Sequence, residues 1–544
     1  MSTKFLRYAL MSVLATAFLP TLHAQSAAEK VKVKVRISSD EDADAKLRPV
    51  GMLRSGPNHI MMLRSGEFDV RAFGTLKTTL DLYDRTKLTY IRSQEPGGKS
   101  TNGDEVKVDA LVYFAGKPML IGHSTTDNGV TVHYQAQDPA LTKLSRNYEP
   151  LLTWATKVKD KKPMVVAAGS ALRQPYFVAV SQDSSHMLVA SPEIRSKETG
   201  EAVYLLAVVG KDLTVKWQHT AQVNVKAKKS TIEDLEVDNQ GHAYFVVKNE
   251  LEREETKGSK NKHELKLFVA TTEGVQETPV KLNGGNFPTS ATLKHTDDDR
   301  VVCAGVYGTE TEKKNKKLGN FVVMFKSGST EQANTVLIPF TGTGLEGEAD
   351  DGEDTKAEAK DKDRMDYNTD VIAVIARSDG SFFLVNEVFY ISVVTDSQGR
   401  QSTRYVHGPV QVRCLEKDGK ERWSTIFRRW VSSGSYIVGR VFCAEYEDQL
   451  YLFMLDSEEM AERRKAGDKI SSKHIKNPYS AYVAFDDKGG FKIKPVLRSD
   501  KNEDYISGWE LVRTGPNEYF ALGTEKIFGG RFLPVKIEFS KETK

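Results

Sequence analysis

A strand–turn–strand pattern recurs along the chain from residue 48 to its end, and it limits the possible folds more than any other feature. Residues 177–181 and 186–190 are two short apolar runs, separated by the polar turn 182–185. The same pattern returns at 232–247, 292–303, 373–385 and 441–453. Alternating apolar runs bounded by Asp, Asn, Ser and Gly turns are typical of β-hairpins. The chain is therefore predicted to be all-β.

Each such hairpin is followed by a polar loop and a second hairpin, as in 204–217 and 410–423. Four strands in roughly 50 to 60 residues correspond to one blade of a β-propeller. Repeat units begin near residues 48, 107, 174, 231, 288, 370, 433 and 504. We therefore predict a single β-propeller of four-stranded blades over residues 48–544, with eight blades and with seven as the alternative.

The two ends of the chain are related to each other. LRSGPN at 53–58 matches VRTGPN at 512–517, and the last unit holds only three strands before Lys544. An open ring would leave sheet edges with unpaired N–H and C=O groups, which promote aggregation. The strand-like segment 31–37, in the N-terminal tail 25–47, is predicted to close the ring as the missing fourth strand.

The first 24 residues have the layout of a secretory signal. Lys4 and Arg7 precede a short apolar run at 9–19, Pro20 interrupts it, and Ala24 is a small residue suited to cleavage. We predict a signal peptide at 1–24 and export to the periplasm or the extracellular space, with a soluble mature protein. No later run approaches the ~20 apolar residues of a membrane span, and we predict none.

Loop lengths differ between the two predicted ends of the blades. Turns within hairpins are short, whereas long charged segments fall on the opposite face, at 250–264, 308–319, 456–477 and the connector 341–369. Of these, 456–466 contains helix-forming residues, and the acidic stretch 345–366 is predicted to be disordered because it has little apolar surface to bury. Loops on a rigid scaffold often carry function; the alternative is that these insertions are surface decoration.

A Gly-x-Gly-x-x-Gly pattern at Gly342, Gly344 and Gly347 follows a predicted strand. Dinucleotide binding by this pattern requires a following helix whose N–H groups face the pyrophosphate. Here an acidic segment, 348–354, follows instead, and its charge repels phosphate. We predict no cofactor site.

Asp40, Asp42 and Asp44 imitate the start of a calcium-binding loop. Such a loop needs glycine at its sixth position and a bidentate acid at its twelfth. Ala45 and Gly51 stand there instead. We predict no metal site.

Common catalytic signatures are missing from the sequence, which has neither a His-Glu-x-x-His nor a Gly-x-Ser-x-Gly pattern. Cys303, Cys414 and Cys443 lie inside apolar runs and are interpreted as core thiols. No catalytic residue is predicted. Because 77 Lys and Arg balance 74 Asp and Glu, no nucleic-acid partner is predicted either.

Two hairpins carry a tryptophan at the fourth-strand position, in DLTVKW ending at Trp217 and DGKERW ending at Trp423. They resemble the outer hairpin of quinoprotein-like propeller repeats, with Trp154 as a possible third case. That resemblance implies that Trp217 and Trp423 dock neighbouring blades. A quinone enzyme of that family also carries adjacent paired cysteines, which this chain lacks, so the resemblance implies blade architecture and no cofactor.

The sequence favours a non-catalytic, monomeric scaffold that binds a protein or glycan partner through its loop-rich face. The alternative is a propeller enzyme, either a quinone-dependent dehydrogenase or a carbohydrate-active enzyme with acids at the mouth of the channel. A propeller fold by itself does not decide between them.

Overall fold

The computed structural model describes most of the chain. The described residues are 31–38, 47–66, 78–126, 129–143, 145–155, 176–196, 199–226, 229–259, 261–310, 317–340, 369–395, 398–434, 436–468, 470–497, 505–524 and 531–541. Four sequence predictions lie outside them: the signal peptide 1–24, the Asp40, Asp42 and Asp44 motif, the glycines Gly342, Gly344 and Gly347, and the segment 345–366.

These residues form eight antiparallel sheets, which we number in chain order. Sheet 1 contains β2 (Leu47–Arg54), β3 (His59–Gly66), β4 (Thr78–Asp84) and β5 (Tyr90–Gln94). Sheet 2 contains β6 (Lys99–Ser100), β7 (Lys107–Phe114), β8 (Lys117–Thr126), β9 (Gly129–Ala136) and β10 (Asn147–Trp154), with β6 parallel to β10. Sheet 3 contains β11 (Phe177–Val180), β12 (His186–Ala190), β13 (Ile194–Arg195), β14 (Glu201–Gly210) and β15 (Val215–Lys226).

Sheet 4 contains β16 (Ser230–Val237), β17 (Ala243–Glu250), β18 (His263–Thr271) and β19 (Gly274–Pro279). Sheet 5 contains β20 (Asn286–Thr296), β21 (Arg300–Thr309), β22 (Gly319–Lys326) and β23 (Gln332–Pro339). Sheet 6 contains β24 (Thr369–Ala376), β25 (Phe382–Thr395), β26 (Gln401–Leu415), β27 (Glu421–Phe427) and β28 (Val431–Ser433).

Sheet 7 contains β29 (Phe442–Tyr446), β30 (Gln449–Asp456), β31 (Tyr479–Phe485) and β32 (Phe491–Leu497). Sheet 8 contains β33 (Tyr505–Gly515), β34 (Glu518–Thr524), β35 (Phe532–Lys541) and, at its outer edge, β1 (Val31–Ile37). The described ranges also contain the helices α1 (Tyr436–Gly439) and α2 (Glu458–Ala466) and a 3-10 turn, Ser472–His474. None of the helices in the described ranges is long or apolar enough to cross a membrane.

The sheets pack face to face around a closed ring. A separate hydrophobic cluster fills each of the eight interfaces, including the one between sheets 8 and 1, where Phe520 and Leu522 meet Met52 and Ile60. Most successive first strands also contact one another on the inside of the ring. The protein is therefore an all-β propeller, as predicted.

The period of two along a strand explains why almost every inner residue is apolar. In β21, Val301 and Cys303 pack against sheet 4, while Val302 and Ala304 pack against sheet 6. Successive side chains of a strand point to opposite faces, and here both faces are covered by a neighbouring sheet. The strands consequently read as continuous apolar runs, the pattern of a strand buried on both sides.

Seven of the eight predicted repeat starts fall within three residues of an observed first strand, and one is wrong. The start predicted near 433 falls in β28, which pairs with Tyr405–His407 of sheet 6. Sheet 7 begins at Phe442, after α1. In the sequence, 431–433 resembles the first strand of a new sheet. In the structure it pairs with Tyr405–His407, because β26 is long enough to extend beyond its other partner β27.

The N-terminal strand β1 pairs with the last strand of the chain. Its seven residues are antiparallel to β35, with Val31 opposite Lys541 and Ile37 opposite Val535. Val33, Val35 and Ile37 pack against the cluster between sheets 7 and 8. Sheet 8 is thus built from both ends of the chain, and it has four strands like most of the others.

Candidate functional site

The two faces of the ring are built differently. Within each antiparallel sheet, the connections between the first and second strands and between the third and fourth strands share one face, the short-turn face. Connections between the second and third strands, and between sheets, lie on the other, loop-rich face. The loop-rich face carries the β17–β18, β21–β22 and β30–β31 connections, whose lengths the sequence predicted.

The most extended feature of the loop-rich face is a two-stranded ribbon, residues 389–395 and 401–407. β25 and β26 have 14 and 15 residues, far more than their neighbours. Sheet pairing on the inner side of β25, where the first strand β24 (Thr369–Ala376) lies, stops where Thr369 meets Val388. Among the described strands, residues 391–395 pair only with β26. Within the described residues, the ribbon therefore projects from sheet 6 with one strand edge unpaired.

One face of the ribbon is apolar and exposed. Ile391 is 54% and Val393 58% exposed, the highest values among large hydrophobic side chains of the described residues. They lie opposite Tyr405 and Thr403, and directly opposite residues share a face in an antiparallel pair. Exposed β-branched and aromatic residues on a projecting sheet are typical of an interaction surface.

The other face of the ribbon is anchored. Tyr390 packs edge-on to Trp430, with ring centroids 6.4 Å apart. Val406 and Trp430 form a buried cluster with Met460 of α2 and with Ile470. The helix predicted for 456–466 is present, but its Met460 is fully buried, so α2 supports the ribbon rather than lying free on the surface.

Helix α2 is fixed at both ends. The Ser457 side chain accepts a hydrogen bond from the Met460 N–H, and Gly467 ends the helix with φ of 78°. Arg464 makes an ion pair with the buried Asp456 and lies 4.6 Å from the ring centre of Phe427. A nine-residue helix is marginal alone, and these contacts hold it against sheet 6.

A buried charged cluster lies at the root of the ribbon. Glu387 faces His407 Nδ1 at 3.3 Å and Arg429 Nη1 at 3.5 Å, and all three side chains are at most 2% exposed. Burial alone raises the pKa of the Glu387 carboxyl, but His407, Arg429 and Arg440 together lower it. The carboxylate also accepts a hydrogen bond from the Val441 N–H at 3.3 Å. The cluster therefore ties the ribbon to the start of sheet 7.

The second candidate region lies inside the ring, where five first strands share an irregularity. The pairing of the first and second strands skips one residue in sheets 1, 2, 4, 5 and 6. The bulged residues are Val50, Asp109, Glu233, Thr289 and Ile372. A bulge re-aims a side chain and increases the local twist. Among the five, Asp109 is buried against His123 and Ile372 packs in the cluster between sheets 6 and 7, whereas Glu233 is exposed.

Glycine in the second strand makes room for two of these bulges. A Cβ on Gly305 would lie 1.9 Å from the Ser290 carbonyl oxygen, and a Cβ on Gly122 would lie 2.5 Å from that of Lys107. Both clashes are with backbone, which no side-chain rotation relieves. The bulges of sheets 2 and 5 therefore depend on these glycines.

At the loop-rich mouth of the channel, sheets 4, 5 and 6 bring carboxylates and lysines together. Asp370 Oδ1 accepts hydrogen bonds from Ser290 Oγ at 2.7 Å and from Lys317 Nζ at 2.8 Å. Lys248 donates to the carbonyl of the bulged Thr289 at 2.7 Å. Charged partners on three consecutive sheets thus share one polar network.

Asp234 extends this network deeper into the channel. Its Oδ2 accepts hydrogen bonds from Thr292 Oγ1 at 2.5 Å and from the Leu293 N–H at 2.8 Å. Below it, Lys294 and Glu236 pair at 3.0 Å. Burial raises the pKa of Glu236, although Lys294 opposes the shift. These groups are satisfied within the protein and bind sheet 4 to sheet 5.

Both predicted docking tryptophans lie between adjacent sheets. Trp217 is 7% exposed, and its Nε1–H donates to the Gly241 carbonyl at 2.9 Å, in the first turn of sheet 4. Trp423 is half-buried and stacks on Phe485 of sheet 7, with ring centroids 6.2 Å apart. How much these contacts stabilise the ring remains a prediction.

The three cysteines are free thiols. Cys303 and Cys414 are buried in inter-sheet clusters and Cys443 is partly buried beside one, as predicted. Burial raises the pKa of Cys303, which makes this thiol unreactive. In the described part of the chain, no three or more His, Cys, Asp or Glu side chains are grouped so as to hold a metal ion.

A groove of about 330 Å³ lies on the outer wall, between β1 and β32. Val33, Val35, Tyr482 and Val496 line it together with lysines such as Lys494. Lysines on an edge strand discourage pairing with another chain. We therefore assign these lysines to protecting the two sheet edges.

Sequence reasoning found the loop-rich face and named acids at the channel mouth as part of the alternative function, but it assigned no residue there and missed the ribbon. The ribbon had a signal, since the strand-forming run that starts at Phe382 continues to Thr395 with no Gly, Pro or Asp to mark a turn. The residues of the channel mouth had none, because the bulge at Glu233 is a one-residue shift in the pairing of β16 with β17, which the hairpin pattern does not specify.

Comparisons with known proteins add little. No family model matches the chain, and no curated protein matches it. Among solved structures, the chain is similar to dihydro-heme d1 dehydrogenase NirN, with 12% identity and a TM-score of 0.36 over 98% of this chain and 84% of that one. An α-L-arabinanase of Penicillium chrysogenum gives 10% identity and a TM-score of 0.30, over 73% and 97%.

An uncharacterised protein of Listeria monocytogenes EGD-e gives 9% identity and a TM-score of 0.33, over 78% and 94% of the two chains. Similarities this distant carry no argument about activity. The fold places the chain in the class of β-propeller proteins, and its function has to be argued from its own surface.

Proposed function

We propose that this chain is an exported, non-catalytic β-propeller scaffold that binds a partner through its loop-rich face. The observation that carries the proposal is the ribbon, which combines an open strand edge with an exposed apolar face. The quinoprotein-like hairpins at Trp217 and Trp423 serve blade docking in this proposal, and no quinone is required.

The open edge favours a protein partner over a glycan. Residues 391–395 pair with β26 on one side, and no other described residue pairs with the main-chain N–H and C=O groups of the other side. An extended peptide can add to such an edge and pair with it as a further strand. A glycan cannot reproduce this regular pattern of donors and acceptors.

The apolar face supplies the second part of the interaction. Burying Ile391 and Val393 against a partner removes apolar surface from water, worth roughly 1.5–3 kcal/mol for each fully buried side chain. Both side chains are held on a ribbon whose opposite face packs on Trp430 and Met460. Because the docking surface is already ordered, little conformational entropy is lost on binding.

A crosslinking pull-down from intact cells tests the docking surface. We expect the double variant Ile391→Ser/Val393→Ser to lose most of the crosslinked partner while its melting temperature stays within a few degrees. The matched control is Val215→Ser in sheet 3, since Val215 is also β-branched and 37% exposed but lies beside a turn of the short-turn face.

Equal capture by the double variant and by the wild type would overturn the ribbon as the docking element. Loss of capture in the Val215→Ser control would show that any exposed apolar residue matters, which also contradicts the proposal. If the captured partner is a glycan rather than a protein, the strand-addition part of the proposal is wrong.

Export is the other part of the proposal, and it rests on Lys4, Arg7, the apolar run 9–19 and Ala24. We expect the mature protein to begin at or near Gln25. Mass spectrometry of the protein recovered from the extracytoplasmic fraction measures this directly. Retention of residues 1–24 on most molecules would remove the basis for export.

A further inference from the structure

Glu233 is the channel-mouth carboxylate that the surrounding network leaves unsatisfied. It is the bulged residue of β16, between Ile232 and Asp234 in the pairing with β17. Its side chain is exposed to the channel. Unlike Asp234 and Asp370, it makes no hydrogen bond or ion pair within the described residues, so its carboxylate is available to a ligand.

The charges around Glu233 are mixed. Partial burial raises the pKa of its carboxyl, Asp370 and Asp234 raise it further, and Lys248 and Lys317 lower it. Both lysines are already engaged, Lys248 with the Thr289 carbonyl and Lys317 with Asp370 and the Thr369 carbonyl. The mouth therefore has two hydrogen-bonded ammonium groups and one carboxylate without a direct partner.

A ligand that completes this arrangement must bring a positive charge to Glu233. Next to that charge it meets hydrogen-bond acceptors, since the Ser290 and Thr292 hydroxyl groups donate their protons to Asp370 and Asp234 and keep oxygen lone pairs for a ligand. Hydroxyl groups both donate and accept, so they match such a lining. The chemistry suits a small ammonium compound rich in hydroxyl groups.

We infer that the loop-rich mouth of the channel is a binding site for a hydroxylated ammonium ligand, the class to which amino sugars belong, with Glu233 as its anchor. The site uses residues of sheets 4, 5 and 6 inside the ring, whereas the ribbon uses Ile391, Val393 and the strand edge that project beyond sheet 6. The inference therefore does not depend on the ribbon being a docking element.

Titration calorimetry on the purified protein tests the site, with glucosamine as the probe and glucose as its uncharged counterpart. We expect glucosamine to bind and glucose to bind several-fold more weakly, because only glucosamine carries a charge for Glu233. Glu233→Gln should weaken glucosamine binding by up to about fivefold, the upper end of the range for an exposed ion pair.

Two further variants separate this inference from a general loss of structure. Glu273→Gln changes an exposed acid of the same sheet on the short-turn face and should leave binding unchanged. Lys248→Met removes a cation that competes for Glu233 and should tighten glucosamine binding. Opposite effects of Glu233→Gln and Lys248→Met cannot come from misfolding.

Lowering the pH gives a further readout. Because the pKa of Glu233 is raised, its carboxylate takes up a proton at higher pH than an ordinary glutamate does, and glucosamine binding should weaken there first. Equal binding of glucose and glucosamine, or unchanged glucosamine binding by Glu233→Gln, would overturn the inference. Unchanged partner capture by Ile391→Ser/Val393→Ser would contradict the proposed docking surface and would not affect the inference about Glu233.

Discussion

The short-turn face and the loop-rich face of this ring are built from the same strands and have opposite properties. On the short-turn face, turn side chains reach across to the next sheet almost everywhere. Ser378 N–H donates to Asp448 at 2.7 Å, joining sheets 6 and 7, and Arg54 donates to the Thr514 carbonyl at 2.8 Å, joining sheets 1 and 8. We refer to these hydrogen bonds between neighbouring sheets on the short-turn face as the belt.

Asp238 is the most connected residue of that belt. Its Oδ2 accepts from His242 Nδ1 at 2.8 Å, from Tyr244 OH at 2.7 Å and from Ser327 Oγ at 2.6 Å. Ser327 belongs to sheet 5, so one buried carboxylate fixes two sheets. On the loop-rich face, by contrast, Ile391, Val393 and Glu233 are left without partners in the described chain.

This difference separates stability from recognition. Groups that are satisfied inside the protein stabilise the ring, whereas groups left open at the other face are available to ligands. Changes on the short-turn face, and in the strands that close the ring, should therefore lower stability. Changes on the loop-rich face should lower binding and leave stability nearly intact.

Ring closure gives the largest expected effect. Replacing residues 31–37 by a Gly/Ser segment removes β1 and uncovers β35 and the cluster that Val31 helps to fill. Four aliphatic side chains leave the core, so we expect the free energy of unfolding to fall by about 5 kcal/mol or more. Urea denaturation measures it. An unchanged unfolding midpoint would mean that β1 does not close the ring.

Trp217 comes next. Trp217→Ala should lower the free energy of unfolding by about 3–5 kcal/mol, as large-to-small core changes do. Trp423→Ala should lie at the lower end of that range because its ring is only half-buried. Trp217→Phe keeps most of the ring volume and isolates the hydrogen bond to Gly241, whose loss should cost about 1 kcal/mol. Indoles that are easily quenched at both positions would contradict the docking role.

The bulge of sheet 5 allows a smaller change with a matched control. Gly305→Ala places a methyl group 1.9 Å from the Ser290 carbonyl oxygen, so we expect a loss of roughly 2–3 kcal/mol, typical of an overpacked site. Gly98→Ala is the control, since no atom lies within 4 Å of its Cβ position. Equal stability of the two variants would show that the bulge does not need glycine.

Acid should weaken the belt at Asp238. Burial raises the pKa of this carboxyl, but hydrogen bonds from His242, Ser327 and Tyr244 lower it far below its ordinary value of 3.8. A folded-state pKa below the unfolded one stabilises the protein above the unfolded pKa, and this contribution is lost as the pH falls. Below about pH 4 the wild type should therefore lose stability more steeply than Asp238→Asn, as thermal unfolding at several pH values can show.

The sequence was informative about the ring because the repeat is local. Apolar runs on either side of a polar turn are enough to recognise each hairpin in the sequence. The matching segments LRSGPN and VRTGPN also form equivalent turns, because Arg54 and Arg513 each donate from Nε to the carbonyl oxygen two residues later in the chain. The false start at 433 shows the limit of this reasoning. Whether 431–433 begins a sheet or extends one depends on the length of β26, which is not a local property.

The candidate sites were harder to predict for the same reason. Glu233 is a candidate ligand-binding residue because it is the bulged residue of β16 and because the charges of Asp370 and Lys317 act on its carboxyl group. Both residues lie more than 80 positions later in the chain. Such a cluster has no sequence spacing to recognise. In the sequence, the segment that contains Ile391 and Val393 resembles another buried strand. Its exposure becomes evident only when the pairing with β26 is known.

The smallest expected effect on stability belongs to the acidic connector 345–366. Leu, Ala and Met are its only apolar residues, so it has little surface to bury. Loop-closure entropy changes by only roughly 0.6 kcal/mol per doubling of length. Replacing 345–366 by a short Gly/Ser bridge should therefore shift the melting temperature by no more than a few degrees.

The same replacement of 345–366 can also be tested for its effect on crosslinked capture of the partner. If the acidic charges help to attract the partner, their removal should weaken crosslinked capture, and more at low salt than at high salt because exposed charges are screened. The Ile391→Ser/Val393→Ser variant, whose effect is apolar, should show no such salt dependence. A large loss of stability would mean that the connector is part of the ring. Unchanged capture at every salt concentration would assign recognition to the ribbon alone and leave the connector as a spacer between sheets 5 and 6.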